Sequence, residues 1–188
     1  MRVLVACEFS GVVREAFRRR GHDAWSCDLL PALDGSKFHY QCDVFDVLDP
    51  RGPSDDYYWD LIIAHPPCTY LSVSGNKHYA HREDLWKPAI TFATQFLDWS
   101  NKVCIENPVG RLSSKYRKPD QYIQPWMFGH GETKKTGLWL KNLPLLTPTN
   151  VVEGREQRIW KMGPSADRGY LRSITYQGIA DAMAEQWG

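Results

Sequence analysis

The chain has 188 residues, of which 43% are hydrophobic and 24% are charged, and its formal net charge is +1. This length suits one domain with a single core, and the composition excludes a disordered or fibrous chain. No apolar run approaches the roughly 20 residues that cross a bilayer, and the first residues are typical of a buried strand rather than a signal peptide. We therefore expect a cytoplasmic protein without a membrane partner.

Five cysteines, an odd number without CxxC spacing, argue against a disulfide framework and against a zinc site.

Charge is distributed unevenly along the chain. Residues 111–172 carry 12 Lys/Arg against 5 Asp/Glu, whereas residues 1–109 carry 11 against 15. A basic segment that also contains Trp and Tyr is compatible with a phosphate backbone as partner, although a solvated surface would look the same.

The first 109 residues alternate apolar strands with amphipathic helices. Strands are predicted at residues 2–7, 23–27, 41–44, 60–64 and 102–106, and helices at 11–20 and 85–100. This alternation predicts a parallel α/β sheet, in which ligands lie at the carboxyl ends of the strands.

The second half has a weaker pattern. Residues 110–128 are predicted to be rich in loops, 136–140 to form a strand, 142–172 to be irregular and 174–187 to form a helix. We expect one domain, with a cofactor and catalytic half (1–109), a reduced basic substrate-facing region (110–172) and a closing helix (173–188).

Phe9-Ser10-Gly11 forms a turn between the first strand and the first helix. A glycine there lets a ligand approach the backbone, and a helix N-terminus favours a negative group, so the turn suits a nucleotide-like cofactor. A single glycine is also compatible with an ordinary turn.

Asp28 and Asp43 follow the next two strands and suit ribose hydroxyls and an adenine amino group, but either could simply cap a turn or helix.

His65-Pro66-Pro67-Cys68 follows the fourth strand directly. Two prolines restrict the backbone, so Cys68 is expected on a rigid turn at the ligand-binding edge, where a cysteine nucleophile needs a defined site. Glu106-Asn107-Pro108 ends the adjacent strand and offers a carboxyl group near that cysteine. Desolvation can hold a glutamate in such a pocket protonated, and a protonated or proton-sharing Glu106 could polarise a pyrimidine at N3, while Asn107 holds the loop.

These motifs, in this order, resemble those of the cytosine-C5 DNA methyltransferase family. The matching segments are Phe9-Ser10-Gly11, Pro67-Cys68 with Ser72 and Gly75, Glu106-Asn107, and a closing motif at residues 176–182. The resemblance covers most of the chain. It implies an α/β, Rossmann-like S-adenosylmethionine-dependent methyltransferase sheet with a reduced C-terminal recognition segment, and a small member of phage or prophage type.

The resemblance also implies a mechanism. Cys68 attacks C6 of a flipped cytosine as thiolate, Glu106 stabilises the N3 side, and C5 takes a methyl group from S-adenosylmethionine. Residue roles follow from the same match. The cofactor-binding set is Phe9, Ser10, Gly11, Asp28, Asp43, Pro67 and Asp181, and the substrate-binding pair is Ser72 and Asn107.

Several positions depart from the family pattern. The basic QxRxR motif is replaced by Glu132-x-Lys134-x-Thr136, so Lys134 is predicted to take the place of the first arginine as a third catalytic residue. Gln157 begins a competing match that no β pattern follows. Thr69 stands where the family has Gln, and Pro108 where it has Val.

The region between Leu140 and Ser173 is too short for a recognition domain that reads several base pairs, since specific interfaces with DNA bury roughly 1,000–2,500 Å² of protein. We infer a short or weak sequence preference, help from a second subunit in a homodimer, or a single-stranded substrate. Unpaired bases could stack on Trp126, Trp139 or Trp160.

Two other hypotheses remain open. An amino-methyltransferase acting on adenine N6 or cytosine N4 is suggested by Pro66-Pro67, although His65 and Cys68 fit its motif poorly. A catalytically degenerate nucleic-acid binder is suggested by the altered basic motif, although the Pro-Cys and Glu-Asn pairs argue against it.

Overall fold

The computed structural model describes residues 1–48, 58–73, 79, 81–163, 165 and 168–188. Gly75, one of the residues of the family match, lies outside the described residues. Within the described part, no helix combines the length and the apolar character that crossing a bilayer requires.

Seven strands form one sheet in the order β3-β2-β1-β4-β5-β7-β6. The strands are β1 Arg2–Ala6, β2 Asp23–Asp28, β3 His39–Gln41, β4 Leu61–Ala64, β5 Lys102–Pro108, β6 Gln121–Ile123 and β7 Thr136–Lys141. Neighbours from β3 through β5 pair in parallel, and β7 runs antiparallel to both β5 and β6. The chain order reverses between β1 and β4, which is the switch point where ligands bind in such sheets.

Six α-helices accompany the sheet in the described residues. They are α1 Val12–Arg19, α2 Phe45–Leu48, α3 Glu83–Thr94, α4 Arg158–Lys161, α5 Arg168–Ser173 and α6 Gln177–Trp187. Successive strand residues point to opposite faces of a sheet, so β1 and β4 supply both cores. Val3, Val5 and Ile63 pack with α1 and α6 on one face. Leu4 and Ile62 pack with α2 and α3 on the other.

The predicted elements are found with shifted ends. The third strand is His39–Gln41 rather than 41–44, because the Asp43 carboxylate accepts a hydrogen bond from the Phe45 N–H and starts α2. The loop-rich prediction for 110–128 missed β6, a strand of three residues. The last helix begins at Gln177, because Tyr176 has an extended backbone.

Candidate active site

The loop that carries Cys68 continues directly from β4. The His65 N–H donates to the Ala6 carbonyl (2.9 Å), which extends the pairing with β1 by one residue. Beyond the two prolines, the Cys68 carbonyl accepts from the N–H groups of Leu71 (3.0 Å) and Ser72 (2.8 Å). Cys68 itself is exposed. As predicted, the cysteine thus lies on a tight turn at the carboxyl edge of the sheet.

This loop is fixed by the segment that follows β5. The Asn107 side-chain amide donates to the Pro66 carbonyl (2.8 Å), and the Arg111 N–H donates to the Leu71 carbonyl (2.7 Å). At Gly110, any Cβ would collide with the Leu71 carbonyl oxygen. The two segments therefore touch backbone to backbone, and only glycine permits that contact.

The two residues predicted to bind substrate lie inside this packing. Asn107 is 1% exposed, and Ser72 is 7% exposed and forms an isolated bridge with Gly110. Their contacts hold the Cys68 loop. Their placement fixes the position of the Cys68 loop, a role the sequence had already suggested for Asn107.

His65 contacts the predicted catalytic glutamate. Its Nδ1 lies 2.9 Å from Glu106 Oε2, and the side chains are 9% and 17% exposed. Because a carboxylate only accepts hydrogen bonds, Nδ1 carries the proton. Nε2 of His65 is buried and has no hydrogen-bond partner among the described residues. Sequence reasoning assigned His65 no role, although its position directly before the Pro-Pro-Cys turn was the available signal.

Desolvation alone does not set the pKa of Glu106. Burial raises the pKa of its carboxyl, but the hydrogen bond from His65 and the charge of Lys134 outweigh burial and hold the pKa below its ordinary value. Glu106 is therefore a carboxylate at neutral pH. The expectation considered desolvation alone, because the partner at His65 becomes a neighbour only when β4 and β5 pair.

Lys134 lies at the same site. Its positive charge acts on both Glu106 and Cys68. Its Nζ donates to the carbonyl of Arg172 (2.9 Å), whose charge also acts on Cys68. Desolvation and then the Glu106 carboxylate raise the pKa of the Cys68 thiol, while the two cations oppose that rise. The fold thus brings the three predicted catalytic residues together and adds Arg172.

The ends of the first strands meet around Cys7. Burial, followed by the charges of Asp28 and Asp43, raises the pKa of the Cys7 thiol to about 12. Both aspartates also cap local structure, since Asp28 accepts from the Leu30 N–H (2.9 Å) and Asp43 from the Phe45 N–H (3.0 Å). Each carboxylate has a second oxygen that these contacts leave to other donors.

The predicted cofactor turn, Phe9-Ser10-Gly11, is more deeply buried than expected. Ser10 is 8% exposed and donates to Glu8 Oε1 (3.2 Å). Glu8 is a buried carboxyl that caps α1 by accepting from the Val13 N–H (2.8 Å), and sequence reasoning assigned it no role. Gly11 has a φ of 73°, and a Cβ at this position would collide with the Arg14 guanidinium. Ser10 and Gly11 therefore shape the turn, and the structure does not show them facing a ligand.

The three remaining predicted cofactor residues do not all lie at the site. The Phe9 ring packs against Tyr170 with centroids 4.7 Å apart, and Pro67 is exposed beside Cys68. Asp181, by contrast, pairs with Arg19 (2.8 Å) in the last turn of α1. Helix α1 begins at the ligand-binding edge and ends away from it, so the structure does not bring Asp181 to the site.

The edge beyond β2 offers surroundings that an adenosyl group requires. Asp28 is followed by Leu29 and Leu30, which are 73% and 50% exposed. Carboxylates that can accept from hydroxyl and amino groups thus lie beside apolar surface that a purine ring could cover. The residues present fit the predicted cofactor.

Comparison with known proteins gives a limited result. No protein-family model and no curated protein matches the chain. A similar solved structure is the crystal structure of a DNMT2 mutant from Spodoptera frugiperda, with 16% sequence identity and a TM-score of 0.45. The similarity covers 84% of this chain and 54% of that one, so the chain spans about half its length.

The sheet defines the fold class. A parallel β3-β2-β1-β4-β5 block continued by an antiparallel β7 and then β6 is a Rossmann-like α/β sheet. This is the fold class that the sequence predicted.

Proposed function

We propose that the protein is a methyltransferase that uses S-adenosylmethionine and methylates carbon 5 of cytosine in DNA, with Cys68 as covalent nucleophile. The observation that carries the proposal is the contact of His65, three residues before the exposed Cys68, with the partly buried Glu106 carboxyl (Nδ1 to Oε2, 2.9 Å). Cys68 is exposed on its rigid turn, and the charges of Glu106, Lys134 and Arg172 act on the pKa of its thiol. This is the set of groups that attack on a pyrimidine ring requires.

Asp28, Asp43 and Phe9 would hold the cofactor, with Leu29 covering an adenine face. When bound, S-adenosylmethionine supplies the methyl group that carbon 5 accepts. The placement of Asp28 and Asp43 around one strand edge supports this assignment, because the charges of both act on the Cys7 thiol.

In the proposed reaction, the Cys68 thiolate forms a bond to C6 as the C5–C6 π electrons move onto C5. Glu106 accepts a hydrogen bond from the exocyclic amino group and passes to N3 the proton that the Cys68 thiol loses, so that the ring takes up electron density without a net negative charge. Lys134 and Arg172 stabilise the thiolate before attack, since their charges oppose the rise in its pKa. After C5 has been methylated, its proton leaves to water, the S–C6 bond breaks, and Cys68 departs as thiolate and recovers the proton from N3.

The proposed substrate is a nucleic acid because of the charge on the second half of the chain. Residues 111–172 carry seven more Lys/Arg than Asp/Glu. Lys134 and Arg172 belong to this segment, and the charges of both act on the Cys68 thiol. A basic surface that meets the nucleophile favours a polyanion as the molecule that delivers the cytosine.

Mechanism-based trapping tests the proposal. An oligonucleotide with 5-fluorocytosine, incubated with protein and S-adenosylmethionine, should form a covalent adduct, because fluorine at C5 blocks the last elimination. Cys68→Ala should abolish the adduct, whereas Cys42→Ala, which changes a half-buried thiol elsewhere, should keep it. A product methylated on an amino group without an adduct would overturn the proposal and favour an amino-methyltransferase.

A further inference from the structure

Trp160 is placed differently from the other tryptophans. Its side chain is 78% exposed, whereas Trp59, Trp139 and Trp187 are at most 3% exposed. Each of those three donates its indole N–H to a backbone carbonyl. Among the described residues, Trp160 has no hydrogen bond and no ring contact. An indole exposed to water lacks the favourable free energy of hydrophobic burial, which a bound ligand would supply.

The three tryptophans that the sequence suggested for base stacking differ in how far their rings are covered. Trp139 belongs to the core under the sheet. Trp126 is covered on one face by the guanidinium of Arg155, which lies 3.9 Å from the ring centroid. Trp160 alone among these three presents an uncovered ring.

Helix α4, which carries Trp160, is anchored by the two residues that precede the indole. Ile159 is 8% exposed and buries its side chain beneath the helix. The Arg158 Nε donates to both carboxylate oxygens of Glu132 at 3.0 Å, and the Tyr176 hydroxyl donates to the same carboxylate at 2.7 Å. The indole is therefore presented by an ordered element rather than by a free loop.

The same anchor connects α4 to the wall of the active site. The Lys134 Nζ lies 5.9 Å from the centroid of the Tyr176 ring and donates to the Arg172 carbonyl (2.9 Å). The charges of Lys134 and Arg172 both act on the Cys68 thiol. A strand that places a cytosine at Cys68 would thus run along a basic wall that leads to α4.

The chemistry of α4 suits an unpaired base. Lys161 directly follows the indole, which combines a flat ring with a cation that can contact a phosphate. An element that reads a duplex through the major groove is a long helix or a two-stranded ribbon, and α4 has four residues. An unpaired base, in contrast, exposes its whole face to a single ring.

We propose that Trp160 is a stacking platform for an unpaired nucleobase of the strand whose cytosine enters the active site. The inference rests on the proposed function for the identity of that strand. It adds a binding position outside the reacting centre, with a single-stranded segment of DNA as ligand.

Fluorescence anisotropy with the full-length protein tests this platform. The probes are a labelled single-stranded DNA 20-mer that contains cytosine and the matching duplex. Trp160→Ala should weaken binding of the single strand roughly tenfold or more, and Trp160→Phe should retain most of the affinity. Tyr116→Ala, which removes another exposed aromatic ring (43% exposed), should change nothing.

The salt dependence separates stacking from charge. Trp160→Ala should lower affinity at every salt concentration without altering the slope of log K against log salt. Lys161→Gln should reduce that slope by about 0.7, the value for one phosphate contact on a single strand.

Three outcomes would overturn the platform. They are unchanged single-strand binding by Trp160→Ala, equal losses for the alanine and phenylalanine variants, and an equal loss on duplex and single strand. The trapping experiment is independent of this one. Loss of affinity in Trp160→Ala without a Cys68 adduct would refute the reaction and keep the platform, and the reverse result would refute only the platform.

Discussion

Nδ1 of His65 donates a hydrogen bond to the Glu106 carboxylate across 2.9 Å. His65 lies three positions before the exposed Cys68, so the loop that carries the cysteine also holds this carboxylate. The contact joins the ends of two adjacent parallel strands, β4 and β5. It keeps Glu106 ionised before substrate arrives, and it couples the orientation of the carboxylate to the loop that carries Cys68. Histidine at this position is thus a positioning residue for the candidate site.

Removal of His65 should raise the pKa of Glu106. His65→Ala deletes a hydrogen bond that favours the carboxylate and leaves burial and Lys134 acting on it, so the titration midpoint should move upward. Carbon-13 NMR of glutamate carboxyls, with Glu106→Gln for assignment, measures the midpoint. His39→Ala, which removes another partly buried histidine, serves as control. An unchanged or lower midpoint would contradict this account of the pair.

Alkylation of Cys68 should respond in opposite directions to its two charged neighbours. Glu106→Gln removes a charge that raises the pKa of the thiol, so iodoacetamide should react several-fold faster at pH 8. Lys134→Gln removes a charge that lowers it and should slow the reaction. Lys135→Gln is the matched control, since Lys135 lies over the Tyr122 ring instead. Peptide mass spectrometry gives the rates, and equal effects of both variants would exclude an electrostatic cause.

Gly110→Ala should destabilise the protein and release the Cys68 loop. The added methyl group meets the Leu71 carbonyl oxygen, and the backbone must shift to relieve the overlap. A cost of about 1–3 kcal/mol in the free energy of unfolding is expected for such overpacking. Gly163→Ala, where a Cβ meets nothing within 4 Å, should stay within about 0.5 kcal/mol of the natural protein. Urea denaturation compares the two, and similar midpoints would contradict the close contact.

Glu8 should make stability fall as pH rises. Burial raises the pKa of its carboxyl despite hydrogen bonds from α1, so the folded protein binds more protons than the unfolded chain. The free energy of unfolding therefore decreases from about pH 4.3, the ordinary value for glutamate, up to the folded pKa. Glu8→Gln should flatten this part of the curve, and Glu153→Gln, at an exposed position, should not. Urea denaturation between pH 4 and 8 is the measurement, and identical slopes would refute the prediction.

Asp28→Asn and Asp43→Asn should each weaken binding of S-adenosylmethionine roughly tenfold, as expected when a hydrogen bond to a charged group is lost. Asp181→Asn should leave the affinity unchanged, because Asp181 pairs with Arg19 away from the site. Isothermal titration calorimetry gives the three affinities. A loss in Asp181→Asn alone would return that residue to the cofactor site and remove the two strand-edge aspartates from it.

Local pattern was sufficient for β1, β2, β4 and β5 and for the two longer helices of the first half, whereas β3 was placed two residues late and α2 was not predicted. Hydrophobic periodicity and the turn residues are local properties, and parallel strands bring their carboxyl ends to one edge whatever the remaining contacts are. Cys68 and Glu106 could therefore be placed near each other before any coordinates. The antiparallel β6, three residues long, had too short a pattern to be found.

The α/β class, the loop with Cys68 and the strand that carries Glu106 each follow from residues adjacent in the chain, so they could be predicted from the sequence alone. Tertiary contacts set the pKa of Glu106, the inward packing of Asn107 and Ser72, and the exposure of Trp160. Those properties depend on partners 41 residues apart or more, as in the His65–Glu106 and Asn107–Pro66 contacts, or on which side of a segment the remaining chain covers. Desolvation and hydrogen bonding oppose each other at such positions, and their balance is set by the neighbours that folding supplies.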